Sequence, residues 1–242
     1  MKSKAILVDS PSSHRHPSRR QPLCPDCPAV RNDGLSGLVS LERGCSLQWV
    51  ALAARQPLPT RWPGTYALAL VRRGIVVRQR IDGNGQATAI DVVGPGGAFV
   101  VEEGHPESTT GGYAATEAMV CLCPEPVAAD GLANDGETAR DLWKLAKRSL
   151  ERVERIADAR SRATAKGRVA ALLGAVADTL GGRPTEVVPA GIQQRDLAAL
   201  IAVRHESVCR VLRTFVDRGW VRREPEGIRL LDRKGLASAG NR

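Results

Sequence analysis

The sequence predicts an α+β chain: a small antiparallel β-roll or jelly roll, a long helix, and a C-terminal winged helix-turn-helix. Three observations predict it. Between residues 49 and 127 short strand-like runs are punctuated by Gly, Asn and Pro turns. Residues 137–165 hold no Gly or Pro and place apolar side chains at steps of three and four. Residues 193–213 read as two short helices around a tight turn, and a hairpin pattern follows.

The roll is justified strand by strand. Residues 66–71 and 75–81 are apolar runs separated by Arg72, Arg73 and Gly74. Residues 82–85, Asp-Gly-Asn-Gly, form a strong hairpin signal, because Gly and Asn tolerate positive φ. Residues 87–93 pair back, residues 94–97 (Gly-Pro-Gly-Gly) turn again, and residues 114–122 supply a further strand. Spacing this short fits a barrel or jelly roll.

The long helix follows at residues 137–165. Leu142, Leu145, Ala146, Ser149, Val153, Ile156 and Ala157 mark a narrow apolar seam between Arg and Lys. So narrow a seam suits a coiled-coil-like partner, and the expectation is a homodimer helix; a helix packed on its own domain is the alternative. A second helix, residues 167–180, stops at Gly181 and Gly182. The domains expected are a basic disordered tail (1–22), a cysteine-bearing sensory roll (23–136), a dimerisation helix (137–165) and a DNA-binding domain (166–242).

The chain has 242 residues and a net charge of +9. Residues 187–242 hold 11 Arg or Lys against 6 Asp or Glu, so much of the excess sits beside the second short helix. There Arg204, His205, Glu206, Ser207 and Arg210 occupy the first turns, with Arg213 beyond. Such side chains hydrogen-bond base edges and phosphates in a major groove. Glu206 can accept from cytosine N4, and Arg210, one turn later, can hold guanine or phosphate and be oriented by Glu206. Arg204 and Arg213 read as phosphate contacts, as do Arg222 and Arg223 on the hairpin wing. Leu197, Leu200, Ile201, Val203, Val208, Val211, Leu212 and Phe215 supply the packing, and Ala202 fills the turn where Gly is common. The partner expected is double-stranded DNA.

Other classes are excluded. No P-loop, GxSxG elbow or HExxH pair occurs, so no enzyme is expected. The only apolar run in the first 21 residues is residues 5–8, too short for an export signal, and no stretch approaches a membrane span. The expectation is a cytoplasmic protein whose six cysteines serve metal or redox chemistry rather than structural disulfides. Cys24 and Cys27 form a CxxC pair able to grip zinc or an iron–sulfur cluster. Cys45, Cys121 and Cys123 are candidates to complete the set, and Cys209 reads as a packing residue.

An N-terminal CxxC, a small roll, a long helix and a winged helix-turn-helix together resemble the Crp/Fnr superfamily of bacterial transcription regulators over about residues 23–235. The resemblance implies a cyclic-nucleotide-binding-like β-roll and places Glu206 and Arg210 where the family's base-reading Glu and Arg fall. Residues 118–121, Ala-Met-Val-Cys, match the segment bearing the distal cluster cysteine of oxygen-sensing Fnr proteins, and Cys24 and Cys27 match the first two proximal cysteines. By resemblance these would ligate a [4Fe–4S] cluster whose loss to oxygen or nitric oxide weakens dimerisation. The Fnr pattern has a third cysteine where this chain has Asp33, so Cys45 is the favoured fourth ligand, with Asp33 and Cys123 as alternatives. The resemblance further implies a homodimer on a palindromic operator, with RNA polymerase as a partner. No cyclic nucleotide is expected: no acidic residue follows the turn glycines, and no arginine lies between Phe99 and Glu125 to neutralise a phosphate. A zinc-bearing or thiol-redox DNA binder is the alternative.

Overall fold

The computed structural model describes residues 39–40, 44–45, 47–59, 62, 64–101, 108–180 and 185–239. The tail 1–22, Cys24, Cys27 and Asp33 lie outside the described residues.

Two sheets make the roll. In the first, β3 (Gln48–Leu52), β9 (Ala118–Pro124), β4 (Tyr66–Arg73) and β7 (Ala98–Val100) lie in that order. In the second, β5 (Val76–Asp82) lies between β6 (Ala87–Val93) and β8 (Ser108–Ala114). A short pair, β1 (Val39–Ser40) with β2 (Gly44–Cys45), precedes them. Every pairing in these sheets is antiparallel. The β5–β6 turn forms as its residues require: Asp82 Oδ1 accepts from the amides of Asn84 and Gln86, both at 2.9 Å, and Gly85 has φ 78°. The strand expected at 114–122 is instead two strands. Ala115 to Glu117 form the connection between β8 and β9, and the Thr116 hydroxyl accepts from the Ile75 amide at 3.0 Å to fix it.

The chain then turns helical. A helix not foreseen, α1 (Glu125–Asn134), has Pro in its first turn, where a missing N–H costs nothing. Asp135 caps the long helix α2 (Gly136–Ser161), accepting from the Glu137 amide at 3.0 Å and the Thr138 hydroxyl at 2.8 Å. At this elbow the two helices touch so closely that a Cβ on Gly131 would strike Thr138. Thr164 caps α3 (Ala165–Thr179) through the Gly167 amide, so α2 ends four residues earlier than expected. The remainder is β10 (Val187–Pro189), α4 (Gln194–Leu200), α5 (His205–Asp217), β11 (Val221–Glu224), β12 (Gly227–Leu230) and α6 (Arg233–Ser238). The wing is three-stranded, because β10 pairs with β12 as well as β11 does.

The sequence seam on α2 resolves into two faces. Thr138, Asp141, Leu145, Arg152, Ile156 and Ala159 are buried. Trp143, Ala146, Leu150 and Ala157 are exposed and Val153 half-buried, at alternating steps of three and four. Trp143 is 69% and Leu150 59% exposed, which is unusual for side chains so large. Leu145 and Ile156 therefore belong to the inward face, while Ala146, Val153 and Ala157 belong to the outward one. One buried core runs from the roll (Ile75, Val77, Ala89, Val92) through Ile156 of α2 into the C-terminal unit (Leu173, Leu197, Leu212, Phe215).

Candidate nucleic-acid interface and sensor site

The reading unit is built on α3, α4 and α5. On α5, Val208, Leu212 and Phe215 recur at helical spacing and are fully buried, each worth about 1.5–3 kcal/mol of apolar burial. The opposite face carries Glu206, Arg210 and Arg213, all exposed, while the exposed Arg204 and His205 and the half-buried Ser207 sit at the N-terminal end of the helix. Between α4 and α5 the chain reverses at Ala202, whose φ is 51°, and the Val203 amide donates to the Ala198 carbonyl at 3.1 Å. An alanine here accepts the left-handed conformation that glycine adopts without cost.

Among the described residues Glu206 and Arg210 make no ion pair with each other, contrary to the expectation that Glu206 orients Arg210, so both side chains are unengaged and face outward. Cys209 points sideways: its thiol donates to Gln194 Oε1 at 2.7 Å, linking α5 to α4, which agrees with a packing role. On the wing, Arg222 and Arg223 are exposed. Glu224 accepts from Arg229 Nε at 2.6 Å and lies 3.8 Å from Arg222, relieving the like-charge pair Arg222 and Arg229 that the register sets opposite each other. Trp220 packs tilted against Phe215 (ring centroids 5.5 Å apart), with the cations of Arg218 and Lys166 over its ring at 4.9 and 5.3 Å, closing the unit.

The cysteines divide. Cys121 and Cys123 are buried on the same face of β9, within a cluster of Leu47, Leu70, Ala98, Ala128 and Leu145. Leu145 comes from α2, so both thiols lie where the roll meets the inward face of that helix. Cys45 ends β2, two residues before Leu47 of the same cluster. Among the described residues no three His, Cys, Asp or Glu side chains gather as a metal site. The soft thiolate donors of these cysteines suit zinc and an iron–sulfur cluster alike.

Sequence reasoning missed a buried charge cluster. Asp91 is wholly buried and accepts from Arg152 Nε at 2.7 Å and Nη2 at 2.9 Å; Arg78 Nη1 lies 3.8 Å away. Arg152 also donates to the Ala98 carbonyl at 2.9 Å, which bolts α2 to the roll beside the 94–97 turn. The available signal was Asp91 itself, a carboxylate inside the apolar run of β6.

Residues 167–239 match the Crp-like helix-turn-helix domain. No curated protein sequence matches the chain. Among solved structures, FixK2 from Bradyrhizobium japonicum is 20% identical, with TM-score 0.66, over 80% of this chain and 96% of that one. TTHA1359, a transcriptional regulator of the CRP/FNR family from Thermus thermophilus, is 25% identical, with TM-score 0.55, over 81% of this chain and 99% of that one. A cyclic nucleotide-binding domain containing protein from Listeria monocytogenes is 14% identical, with TM-score 0.62, over 78% and 91%. The fold is therefore a cyclic-nucleotide-binding-like roll joined to a Crp-like helix-turn-helix.

Proposed function

We propose that the chain is a Crp/Fnr-type transcription regulator that reads double-stranded DNA as a homodimer and is not an enzyme. The observation that carries this is the solvent side of α5 and its N-terminal end: five exposed side chains able to contact DNA, on a helix locked by three buried ones, within a matched Crp-like domain. Arg210 and Glu206 read bases; Arg204, Arg213, Arg222 and Arg223 grip phosphate. Two such helices meet a palindromic site when the subunits pair. The exposed seam of Trp143, Ala146, Leu150, Val153 and Ala157 supports pairing through α2, because its steps of three and four are those of a coiled-coil interface. RNA polymerase is the downstream partner, and the compartment is the cytoplasm; no helix among the described residues is long and apolar enough to cross a membrane.

The signal reaches the roll through its cysteines. Cys24, Cys27, Cys121 and Cys45 would hold a [4Fe–4S] cluster, with Cys123 or Asp33 able to take the fourth place. Such a cluster supplies a centre that oxygen or nitric oxide converts. Cys121 and Cys123 pack in one cluster with Leu145, so a change at the thiols shifts the inward face of α2, and the same helix carries the seam. The result is a population shift between dimer geometries. A roll without cyclic nucleotide is supported by Arg152, whose guanidinium packs against the 94–97 turn and bonds the roll's own Asp91.

The test is anaerobic purification with iron, sulfide and zinc analysis, then DNA binding before and after air. Iron with sulfide, and binding that falls in air, supports the sensor. Iron-free protein with unchanged binding removes the sensor and leaves the DNA reader; zinc without iron favours the zinc-bearing reading. An Arg210→Ala variant is expected to lose about 1–3 kcal/mol of discrimination at one base pair per half-site. Unchanged site preference would remove Arg210 from the readout.

A further inference from the structure

The roll and the reading unit meet at one densely satisfied polar cluster. Asp196, in the first turn of α4, is 1% exposed. Its Oδ1 accepts from Arg55 Nη1 at 2.9 Å and from the Tyr113 hydroxyl at 2.7 Å. Its Oδ2 accepts from Arg55 Nη2 at 3.1 Å and from the Gln193 amide at 2.8 Å. Arg55 and Tyr113 both belong to the roll: Arg55 lies just after β3, and Tyr113 lies on β8.

Two features show that this cluster is built rather than incidental. Arg55 holds φ at 67°, a conformation that costs a residue with a Cβ, and it is kept there by its backbone N–H, which donates to the Ala114 carbonyl at 2.7 Å. Its guanidinium also lies over the Tyr113 ring, 5.5 Å from the centroid, so Arg55 and Tyr113 pack on each other as both meet Asp196. The hydrogen bond to Asp196 holds the Arg55 guanidinium above its ordinary pKa, and burial, helped by the same carboxylate, pushes the Tyr113 hydroxyl up. At the other end of α4 the Leu200 carbonyl accepts from Arg160 of α2, which also donates to the Ala89 carbonyl of the roll. The first helix of the helix-turn-helix is thus held at both ends.

We propose that Arg55 and Tyr113 are positioning residues for DNA reading: through Asp196 they fix the pose of α4, and with it α5, against the roll. This rests on the DNA-reading function proposed above. A bidentate guanidinium–carboxylate pair fixes orientation as well as distance. Helix α4 is only seven residues long and is joined to α5 by a tight turn, so a tilt of one carries the other. In the latched pose the reading face is fully exposed, so the latch preorganises the reader instead of covering it.

The test uses the full chain with Arg55→Gln and Tyr113→Phe together, both on the roll side, which leaves the Asp196 cap on the Gln193 amide intact. Amide hydrogen exchange is followed alongside affinity for a duplex that the wild-type chain selects from a random pool. Exchange across residues 194–200 is expected to rise at least tenfold, with β5 and β6 unchanged, and duplex affinity to fall at least threefold. Tyr113→Phe alone, which deletes one hydroxyl, moves both readouts the same way by less, and Arg55→Lys retains more affinity than Arg55→Gln. Unchanged exchange overturns the latch. Faster exchange with equal or tighter DNA binding overturns its positioning role. If the wild-type chain selects no duplex, the DNA-reading assignment falls, and the positioning role falls with it.

Discussion

The buried cluster of Asp91, Arg152 and Arg78 makes an asymmetric prediction. Two guanidiniums share one carboxylate, so the three groups together sum to one positive charge away from water. Asp91→Asn keeps the volume but leaves both cations facing each other without the anion they share. Removing one partner from a buried pair costs about 3–5 kcal/mol, and this case belongs at the upper end. Arg152→Met keeps the packed stem and leaves Arg78, 3.8 Å away, to neutralise Asp91. It deletes two charge-assisted hydrogen bonds and the donor to the Ala98 carbonyl, a loss that the approach of Arg78 offsets to about 2–3 kcal/mol. Urea unfolding by circular dichroism and tryptophan fluorescence reads the difference, and for Asp91→Asn the midpoint shift should be on the order of 1–2 M. If Arg152→Met destabilises as much as Asp91→Asn, the charge accounting is wrong. If both cost under about 1 kcal/mol, the pair does not bolt α2 to the roll.

Ala202→Gly should raise stability by up to about 1 kcal/mol, since φ at 51° costs alanine more than glycine; a lower melting temperature would contradict the turn geometry. Leu150→Asp, on an exposed position, should leave the fold intact and shift sedimentation from dimer to monomer; an unchanged dimer would move the interface off the outward face of α2. Burial raises the pKa of both tyrosines, most strongly Tyr113, so each favours the folded state while the unfolded phenol remains protonated. Their contribution is complete below about pH 10 and declines as pH rises through the folded values. Absorbance titration near 295 nm should show less tyrosine ionisation in the native than in the unfolded protein at about pH 10, and equal ionisation of the two would refute the burial of both hydroxyls.

The elements legible in the sequence were those whose signal is local. The hairpin at residues 82–85, the helix-turn-helix and the wing rest on turn residues and periodicity, and each formed where those residues stand. The reading face was legible because Glu206, Arg210 and Arg213 follow a helical period against three apolar side chains, with Arg204 and His205 at the helix start. The two faces of α2 were not separable, because Val153 and Ile156 are both apolar and β-branched in sequence and differ in what covers them. The break at 115–117 depends on Thr116 reaching the Ile75 amide, 41 residues away, and no local pattern announces it. The Asp196 cluster was hidden for the same reason: Arg55 lies 141 residues from its partner, and as an isolated charge in a loop it resembles any solvated arginine.

The double-sided build of α2 has a consequence for how this helix can change over evolutionary time. Between Arg140 and Asp158, the positions outside both stripes and the flanking Leu142 and Ser149 are Arg140, Lys144, Lys147, Arg148, Glu151, Glu154, Arg155 and Asp158, and every one of them is charged. Variation is therefore confined to a ribbon of charges, while deletion of a single residue would turn everything beyond it by about 100° and bring both stripes out of register at once. Such a helix can retune its surface charge freely, yet it can alter its reach only in whole heptads.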